Sequence, residues 1–373
     1  MNQPLGVALI GTGMIAAVHR RAATQAGATI VGVVASSGDK ARSVAAQWRC
    51  DAFDSAQAAL RDPRVDVVHI CTPNSTHNDL AAATLLAGKH VVCEKPLATT
   101  LADATELARL ARVVGRVATV PFVYRYHPMV REARARIASG ELGRLHLVHG
   151  SYLQDWLLEA TDTNWRVDPA LGGASRAFAD IGSHWCDLVE WITGERFERL
   201  VSSLRTVQEQ RPAGSRETFA GRAAANTDRI AVHTEDIATA LLRTDRGTAA
   251  TLTVSQVSAG RKNRLWFEVD AERGSLVFDQ EEPERLWLGR RDAVQLLVRD
   301  PGSGSSEQRR LSVLPPGHAQ GYAQCFEAFV ADTYAAVRGE TPEGLPTFED
   351  GLRSMQLVEA VLESARSERW VTA

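Results

Sequence analysis

The sequence predicts an α/β protein in which a doubly wound parallel sheet is followed by an α+β domain with an open, mostly antiparallel sheet. Three observations lead there. The chain has 373 residues and 45% hydrophobic content, enough for two domains with cores of their own. Over its first 120 residues, short Val/Ile-rich runs alternate with Ala-rich stretches of helical spacing. After Phe122 that alternation stops, and β-like runs joined by turn signals take over.

Taken in order, the expected strands of the first part are 5–10, 29–35, 65–71, 90–94 and 116–120. They are Val/Ile-rich and continuous rather than alternating, as parallel strands covered on both faces should be. Between them, 14–26, 40–48, 76–87 and 101–114 carry helical spacing. In the second part, 128–139 and 181–192 read as helices. The runs 237–243, 248–254, 265–271, 275–279 and 285–288 read as strands, with turns at Asp245-Arg246-Gly247 and Glu272-Arg273-Gly274. The polar stretch 209–226 has no period and is expected to be a long loop, and 301–306 a flexible turn. Helices at about 322–337 and 348–366 close the chain. The expected domains are 1–123 and 124–373, with no internal repeat.

Composition narrows the function classes. The 42 Lys+Arg against 45 Asp+Glu leave a net charge of -3, which argues against nucleic acid or an anionic membrane as partner. No apolar stretch approaches the roughly 20 residues of a membrane span. Met1-Asn2-Gln3-Pro4 has no charged n-region or cleavage site, so a cytoplasmic protein is expected. The five cysteines form no C-x-x-C pair and are expected as buried apolar side chains, with no metal site. Only four lysines occur, Lys40, Lys89, Lys95 and Lys262, and a lysine, unlike an arginine, can exchange its proton.

The chemistry concentrates at the strand ends. Gly11-Thr12-Gly13-Met14-Ile15-Ala16 follows the first strand and opens a helix. Gly11 permits the tight turn, Gly13 lets backbone approach a pyrophosphate, and the helix N-terminus faces the anion, the arrangement of a Rossmann dinucleotide site. The second strand ends in Ala35-Ser36-Ser37-Gly38-Asp39-Lys40, without the carboxylate that would bond a ribose 2′-hydroxyl. Ser36, Ser37 and Lys40 suit a 2′-phosphate instead, which leans the expectation to NADP over NAD; alternatively Asp39 and Lys40 merely begin a helix. Thr72-Pro73-Asn74 and Glu94-Lys95-Pro96 follow two further strands, on the edge where open α/β sheets bind ligands. A second cluster, Asp180-Ile181-Gly182-Ser183-His184, starts a helix. A carboxylate and an imidazole four apart can share a helix face, which suits a base held by an acid; the plainer alternative is a helix cap beside a partly buried histidine.

Gly11-x-Gly13-x-x-Ala16, Thr72-Pro73-Asn74-x-x-His77, Glu94-Lys95-Pro96, Tyr124-Arg125 with Pro128, Trp165-Arg166, and Asp180-x-Gly182-x-His184 together resemble the Gfo/Idh/MocA oxidoreductase family in order and spacing. The match is dense over 5–130 and 165–190. The resemblance implies that Lys95 contacts the nicotinamide region and a substrate hydroxyl, and that Asp180 and His184 complete the catalytic set. It implies cofactor contacts from Gly11, Gly13, Met14, Ile15, Thr72, Pro73, Asn74, His77, Glu94, Lys95, Trp165 and Arg166. Substrate contacts would come from Lys95, Tyr124, Arg125, Trp165, Arg166, Asp180 and His184. It also implies a homodimer or homotetramer formed through the C-terminal sheet.

The reaction expected is reversible oxidation of a secondary alcohol on a sugar, cyclitol or glycoside. His184 would take the hydroxyl proton, Asp180 would support the imidazole, and the Lys95 cation would stabilise the developing alkoxide. An imidazole's ordinary pKa of about 6.5 suits this near neutral pH. Arg176, between Gly173 and Asp180, could face a polar substrate or solvent. Pocket walls are expected from 153–166, with Trp156 and Trp165, and from 209–236. Two other readings use the same fold: redox-neutral, NAD-dependent glycoside cleavage, and a sensor without catalysis.

Overall fold

In a computed structural model, residues 3–213 and 228–373 are described. In chain order the first elements are β1 (Gly6–Ile10), α1 (Met14–Gln25), β2 (Thr29–Val34), α2 (Gly38–Trp48), β3 (Asp51–Ala52), α3 (Ala56–Arg61), β4 (Val67–Ile70), α4 (His77–Leu86), β5 (His90–Cys93), α5 (Leu101–Val114) and β6 (Ala118–Thr119). All six strands pair in parallel in the order β3-β2-β1-β4-β5-β6. That order reverses beside β1, and the crevice outside such a switch point is where open sheets take ligands. Every residue of β1 and β4 is buried, because helices cover both faces. The short β3 and α3 escape sequence reading, since two exposed strand residues carry no pattern.

The chain continues through α6 (Pro128–Ala138), β7 (Leu145–Leu153), α7 (Pro169–Gly172), α8 (Ser183–Thr193), β8 (Phe197–Arg205), β9 (Gln210–Pro212), β10 (Arg229–Ala231), β11 (Ile237–Thr244), β12 (Ala249–Ser255), β13 (Arg264–Ala271), β14 (Gly274–Asp279), β15 (Arg285–Gly289), β16 (Val294–Val298), α9 (Ser306–Leu311), α10 (Tyr322–Val337), α11 (Phe348–Ser367) and β17 (Val371–Thr372). Nine strands form a sheet in the order β16-β15-β14-β13-β7-β12-β11-β8-β17. Its pairings are antiparallel except for β7 with β12, which are parallel. In β11 and β12 buried and exposed residues alternate, the signature of a sheet covered on one face. Polar residues interrupt β7 (LHLVHGSYL) and β8 (FERLVSSLR), which is why neither stands out as an apolar run.

Two compact units result. The first is residues 1–123 with 323–355, and the second is 124–322 with 356–373. The expected second domain, 124–373, is thus interrupted. Most of α10 belongs to the first unit, where Phe326 packs edge-on against the His19 ring and Tyr334 bonds His69. The expected loop 209–226 lies largely outside the described residues; its start is β9, paired with β10. All five cysteines are free thiols, and four are buried. Among the described residues no helix is long and apolar enough to cross a membrane.

Candidate functional site

In the first unit, the candidate residues gather where β1, β2, β4 and β5 end. Gly11 has a φ of 110°, and a Cβ there would lie 2.4 Å from the Cys71 carbonyl oxygen, so only glycine fits this turn. Gly13 is the N-cap of α1 and makes no side-chain cap bond, whereas Ser37, Ser55 and Thr100 cap α2, α3 and α5. Among the described residues, no atom beyond its chain neighbours and its own helix lies within 4 Å of where a Gly13 Cβ would be. An uncapped helix N-terminus beneath open space is what a pyrophosphate needs, so the residues present fit a dinucleotide. Met14 is exposed, Ile15 half-buried, and Ala16 fully buried against the sheet.

At the end of β2, Ser36, Ser37, Asp39 and Lys40 are all exposed. The Ser37 hydroxyl accepts from the Lys40 backbone N–H at 3.3 Å, so it also caps α2. Arg42, which sequence reading passes over, pairs with Asp39 and lays its guanidinium 3.1 Å from where a Gly38 Cβ would be.

The loops after β4 and β5 are tied together by His77. Its Nδ1 faces the Pro96 carbonyl at 2.8 Å and its Nε2 the Thr72 carbonyl at 3.0 Å. The ring is fully buried, which lowers its pKa against the opposing pull of those carbonyls. His77 therefore acts inside the fold as a clamp between the Thr72-Pro73-Asn74 and Lys95-Pro96 segments, and has no surface to offer a cofactor. Glu94 is likewise buried. Its Oε2 accepts from the Lys95 N–H at 3.1 Å and its Oε1 faces His19 Nε2 at 2.9 Å. Burial is the largest single influence and would raise the Glu94 pKa, but the bond to His19 and the neighbouring His19, Lys95 and His77 together hold the carboxyl below its usual range. The Lys95–Pro96 peptide is cis, and Lys95 is half-buried.

In the second unit, residues Phe178–Gly182 form one π-helical turn leading into α8. A Cβ on Gly182 would come within 2.6 Å of the Phe178 ring, so the glycine of Asp180-x-Gly182-x-His184 is required by packing. Such π turns are short and recur at functional sites. Asp180 is held from two sides, by Arg166 Nε at 3.4 Å and by Gln256 Nε2, which donates at 2.8 Å. Arg166 also stacks over Trp165, 4.4 Å from its ring centroid, and the Asn164 side chain caps the turn that carries both.

His184 is walled by phenols. The Tyr124 ring meets it edge-on at 4.9 Å, and Tyr152 lies tilted at 6.4 Å. Tyr124 and Tyr152 share a 2.5 Å hydroxyl–hydroxyl bond. Tyr152 donates to Asn263 Oδ1 at 2.7 Å, and Gln154 donates to the same oxygen at 2.8 Å. Trp156 Nε1 in turn donates to Gln154 at 2.8 Å. Burial, and then the neighbouring Tyr124, raises the Tyr152 pKa well above that of a free phenol, so it remains a hydroxyl. Tyr152, Gln256 and Asn263 escape sequence reading because no short motif contains them, and Gln154 falls only within the expected wall segment 153–166.

Two arginines have structural partners. Arg125, expected at the substrate, forms a buried two-pronged pair with Asp187 and lies over the Trp191 ring. Arg176 faces neither substrate nor solvent: it is fully buried and pairs with Asp236, which Arg211 also bonds. Among the described residues, one group of side chains brings three potential metal-ligating atoms within 4.8 Å: His149, Glu268 and Asp270, all half-exposed on β7 and β13.

Comparison with known proteins agrees with both units. Residues 5–122 match the oxidoreductase family with an NAD-binding Rossmann fold, and residues 130–277 match the GFO/IDH/MocA C-terminal domain. A levoglucosan dehydrogenase of Pseudarthrobacter phenanthrenivorans is 29% identical over 321 residues, 84% of this chain and 82% of that protein. A solved levoglucosan dehydrogenase in complex with NADH and levoglucosan superposes with a TM-score of 0.89 at 26% identity, over 100% of this chain and 99% of that one. An inositol dehydrogenase homologue from Azotobacter vinelandii, complexed with NADH and myo-inositol, does so with a TM-score of 0.85 at 26% identity, over 100% and 98%.

Proposed function

The chain belongs to the Gfo/Idh/MocA oxidoreductase family, and from that premise we propose that it reversibly oxidises a secondary alcohol of a sugar, cyclitol or glycoside with a nicotinamide dinucleotide. The observation that carries the reading is the dinucleotide cradle at α1, with the Glu94-anchored Lys95 on the same edge of the sheet. When bound, the nicotinamide accepts or returns the hydride. The other roles fall to this chain's residues. Gly11, Gly13 and the α1 N-terminus hold the pyrophosphate, with Met14, Ile15, Thr72, Pro73 and Asn74 along the crevice. The Lys95 ammonium stabilises the alkoxide as it forms.

His184 takes the hydroxyl proton. Its Nδ1 is shut off from solvent, so Nε2 is the atom assigned to the exchange. Asp180, steadied by Arg166 and Gln256, supplies the negative charge that favours the imidazolium. Tyr124 and Tyr152 wall the imidazole, and Trp165 with Arg166 offers a flat polar face to a sugar ring. At the ribose edge, Ser36, Ser37, Lys40 and Arg42 favour NADP, although the relatives' structures carry NADH. The exposed face of the nine-stranded sheet is the surface we assign to a homodimer or homotetramer, in a cytoplasmic enzyme.

A panel of sugars, inositols and glycosides, including levoglucosan and myo-inositol, tests the proposal with NAD+ and NADP+ in parallel. Net reduction of the dinucleotide by at least one cyclic polyol is expected. Glycoside cleavage with bound cofactor and no net reduction would move the assignment to the redox-neutral reaction, and failure to bind either dinucleotide would overturn it.

A further inference from the structure

We infer that Tyr334, His69 and His19 form a directed hydrogen-bond chain that holds Glu94, and through it the Lys95 backbone, which makes the three of them positioning residues for the chemistry proposed at Lys95. The inference rests on that functional reading, but the chain itself stands on geometry. Four elements of the first unit contribute one group each: α10 gives Tyr334, β4 gives His69, α1 gives His19, and the end of β5 gives Glu94. The links measure 2.9 Å from Tyr334 Oη to His69 Nε2, 2.8 Å between the two Nδ1 atoms, and 2.9 Å from His19 Nε2 to Glu94 Oε1. Tyr334, His69 and His19 are fully buried, and the Phe326 ring lies edge-on over His19 at 4.7 Å.

The direction of every link follows from counting protons. Glu94 is ionised and can only accept, so His19 Nε2 carries a hydrogen. Among the described residues, the Tyr334 hydroxyl has one hydrogen-bond partner, His69 Nε2, and burial keeps it protonated by raising its pKa. Tyr334 therefore donates, and His69 Nε2 accepts. His69 then holds its hydrogen on Nδ1 and donates it to His19 Nδ1. Both imidazoles are neutral and no donor is orphaned. Burial, and then the neighbouring His19, lowers the His69 pKa well below its ordinary value, in keeping with a neutral ring.

A second proton on His19 would reverse the chain. His19 Nδ1 would donate, His69 would move its hydrogen to Nε2, and the Tyr334 hydroxyl would lose its acceptor. The groups facing Glu94 are His19 of α1, His77 of α4, Lys95, and the thiols of Cys71 and Cys93. The thiols have pKa values raised by burial, so they stay neutral.

Histidine-labelled NMR titration tests the chain without any turnover. In the wild type the ring-nitrogen shifts should place the His69 hydrogen on Nδ1 and the His19 hydrogen on Nε2, and in Tyr334→Phe, which removes the donor to His69 Nε2, His69 should populate its Nε2-protonated tautomer. A wild-type His69 hydrogen on Nε2, a tautomer unmoved in Tyr334→Phe, or a His69 that titrates in the wild type between about pH 5 and 9, a range that brackets an unperturbed histidine, overturns the directed chain. Kinetics test the positioning. His19→Ala removes the bond that keeps Glu94 ionised, so kcat/KM at neutral pH should fall about tenfold, with the acid limb moved upward and activity regained at higher pH. His19→Gln can still donate to Glu94 and should stay within about threefold of wild type. Equal losses in both variants with an unmoved acid limb overturn the positioning role. Should no polyol be oxidised at all, the proposed function fails, while the NMR comparison still decides the chain.

Discussion

The Glu94–Lys95 loop of the first unit and the Asp180–His184 turn of the second secure their side chains by opposite means. Glu94 rests on neutral imidazoles and a backbone N–H, so its support depends on where each hydrogen sits. Around Asp180 and Tyr124 ion pairs enter the support: Arg166 joins the Gln256 amide on Asp180, and Arg125 forms a buried pair with Asp187. A directed chain of neutral donors responds to a change in protonation or to the loss of one hydroxyl. A buried ion pair keeps its charge across the working pH range, but tolerates no loss of one partner.

The largest expected effect lies at the end of the first device. Lys95→Ala should lower kcat by about 10²-fold or more, the scale of losing a positioned catalytic group, while dinucleotide affinity stays within about twofold. Steady-state kinetics beside a fluorescence titration of the cofactor measure both. Undiminished turnover would remove Lys95 from the reaction and leave the Glu94 support with nothing to position.

Next comes the ionic device. Asp187→Ala strands the Arg125 guanidinium, which is as buried as its partner, and should cost about 3–5 kcal/mol of stability in urea unfolding. A loss below about 1 kcal/mol is what an exposed pair would show, and would mean that Arg125 draws its support from elsewhere.

A third effect separates the two units by pH. His127 of the second unit is buried between the Tyr124 and Phe278 rings, and its Nε2 has no hydrogen-bond partner among the described residues. Burial pushes its pKa down to about 4. The unfolded chain, with an ordinary value of about 6.5, therefore binds this proton first as pH falls. Its contribution is complete above about pH 6.5 and is lost toward pH 4, by about 2–3 kcal/mol. His127→Phe keeps the stacked ring and removes the titration, so its stability should fall less than the wild type's over that window. Parallel curves would place the acid sensitivity in other groups.

Legibility in the sequence follows the distance between partners. Gly11, Gly13, Glu94, Lys95, Asp180 and His184 stand in short motifs, so residue type and spacing reveal them. The parallel strands are readable because burial on both faces makes their runs Val/Ile-rich rather than alternating. Tyr334 is 265 residues from His69, and Gln256 is 76 from Asp180. Such pairings arise only when the chain folds back, as α10 does into the first unit. The same distance hides the partners of Arg125, which the resemblance placed at the substrate, and of Arg176, which the sequence left between substrate and solvent: Asp187 and Asp236 meet them inside the fold. The structure also changes the expected role of His77, whose motif position suggested a cofactor contact although its ring joins two loops from within.

The smallest effect concerns an edge of the first unit that neither device reaches. β2 ends without a carboxylate, and Ser36 is exposed beside Ser37, Lys40 and Arg42. An aspartate at that place would bond a ribose 2′-hydroxyl and repel a 2′-phosphate. Ser36→Asp should therefore shift the ratio of NADPH to NADH affinity toward NADH by about tenfold, or about 1.4 kcal/mol. Because Ser37, and not Ser36, caps α2, the substitution leaves the helix start intact and the comparison reads recognition alone. An unmoved ratio would place 2′-recognition away from Ser36, and Arg42→Ala would then show whether the guanidinium over Gly38 carries it instead.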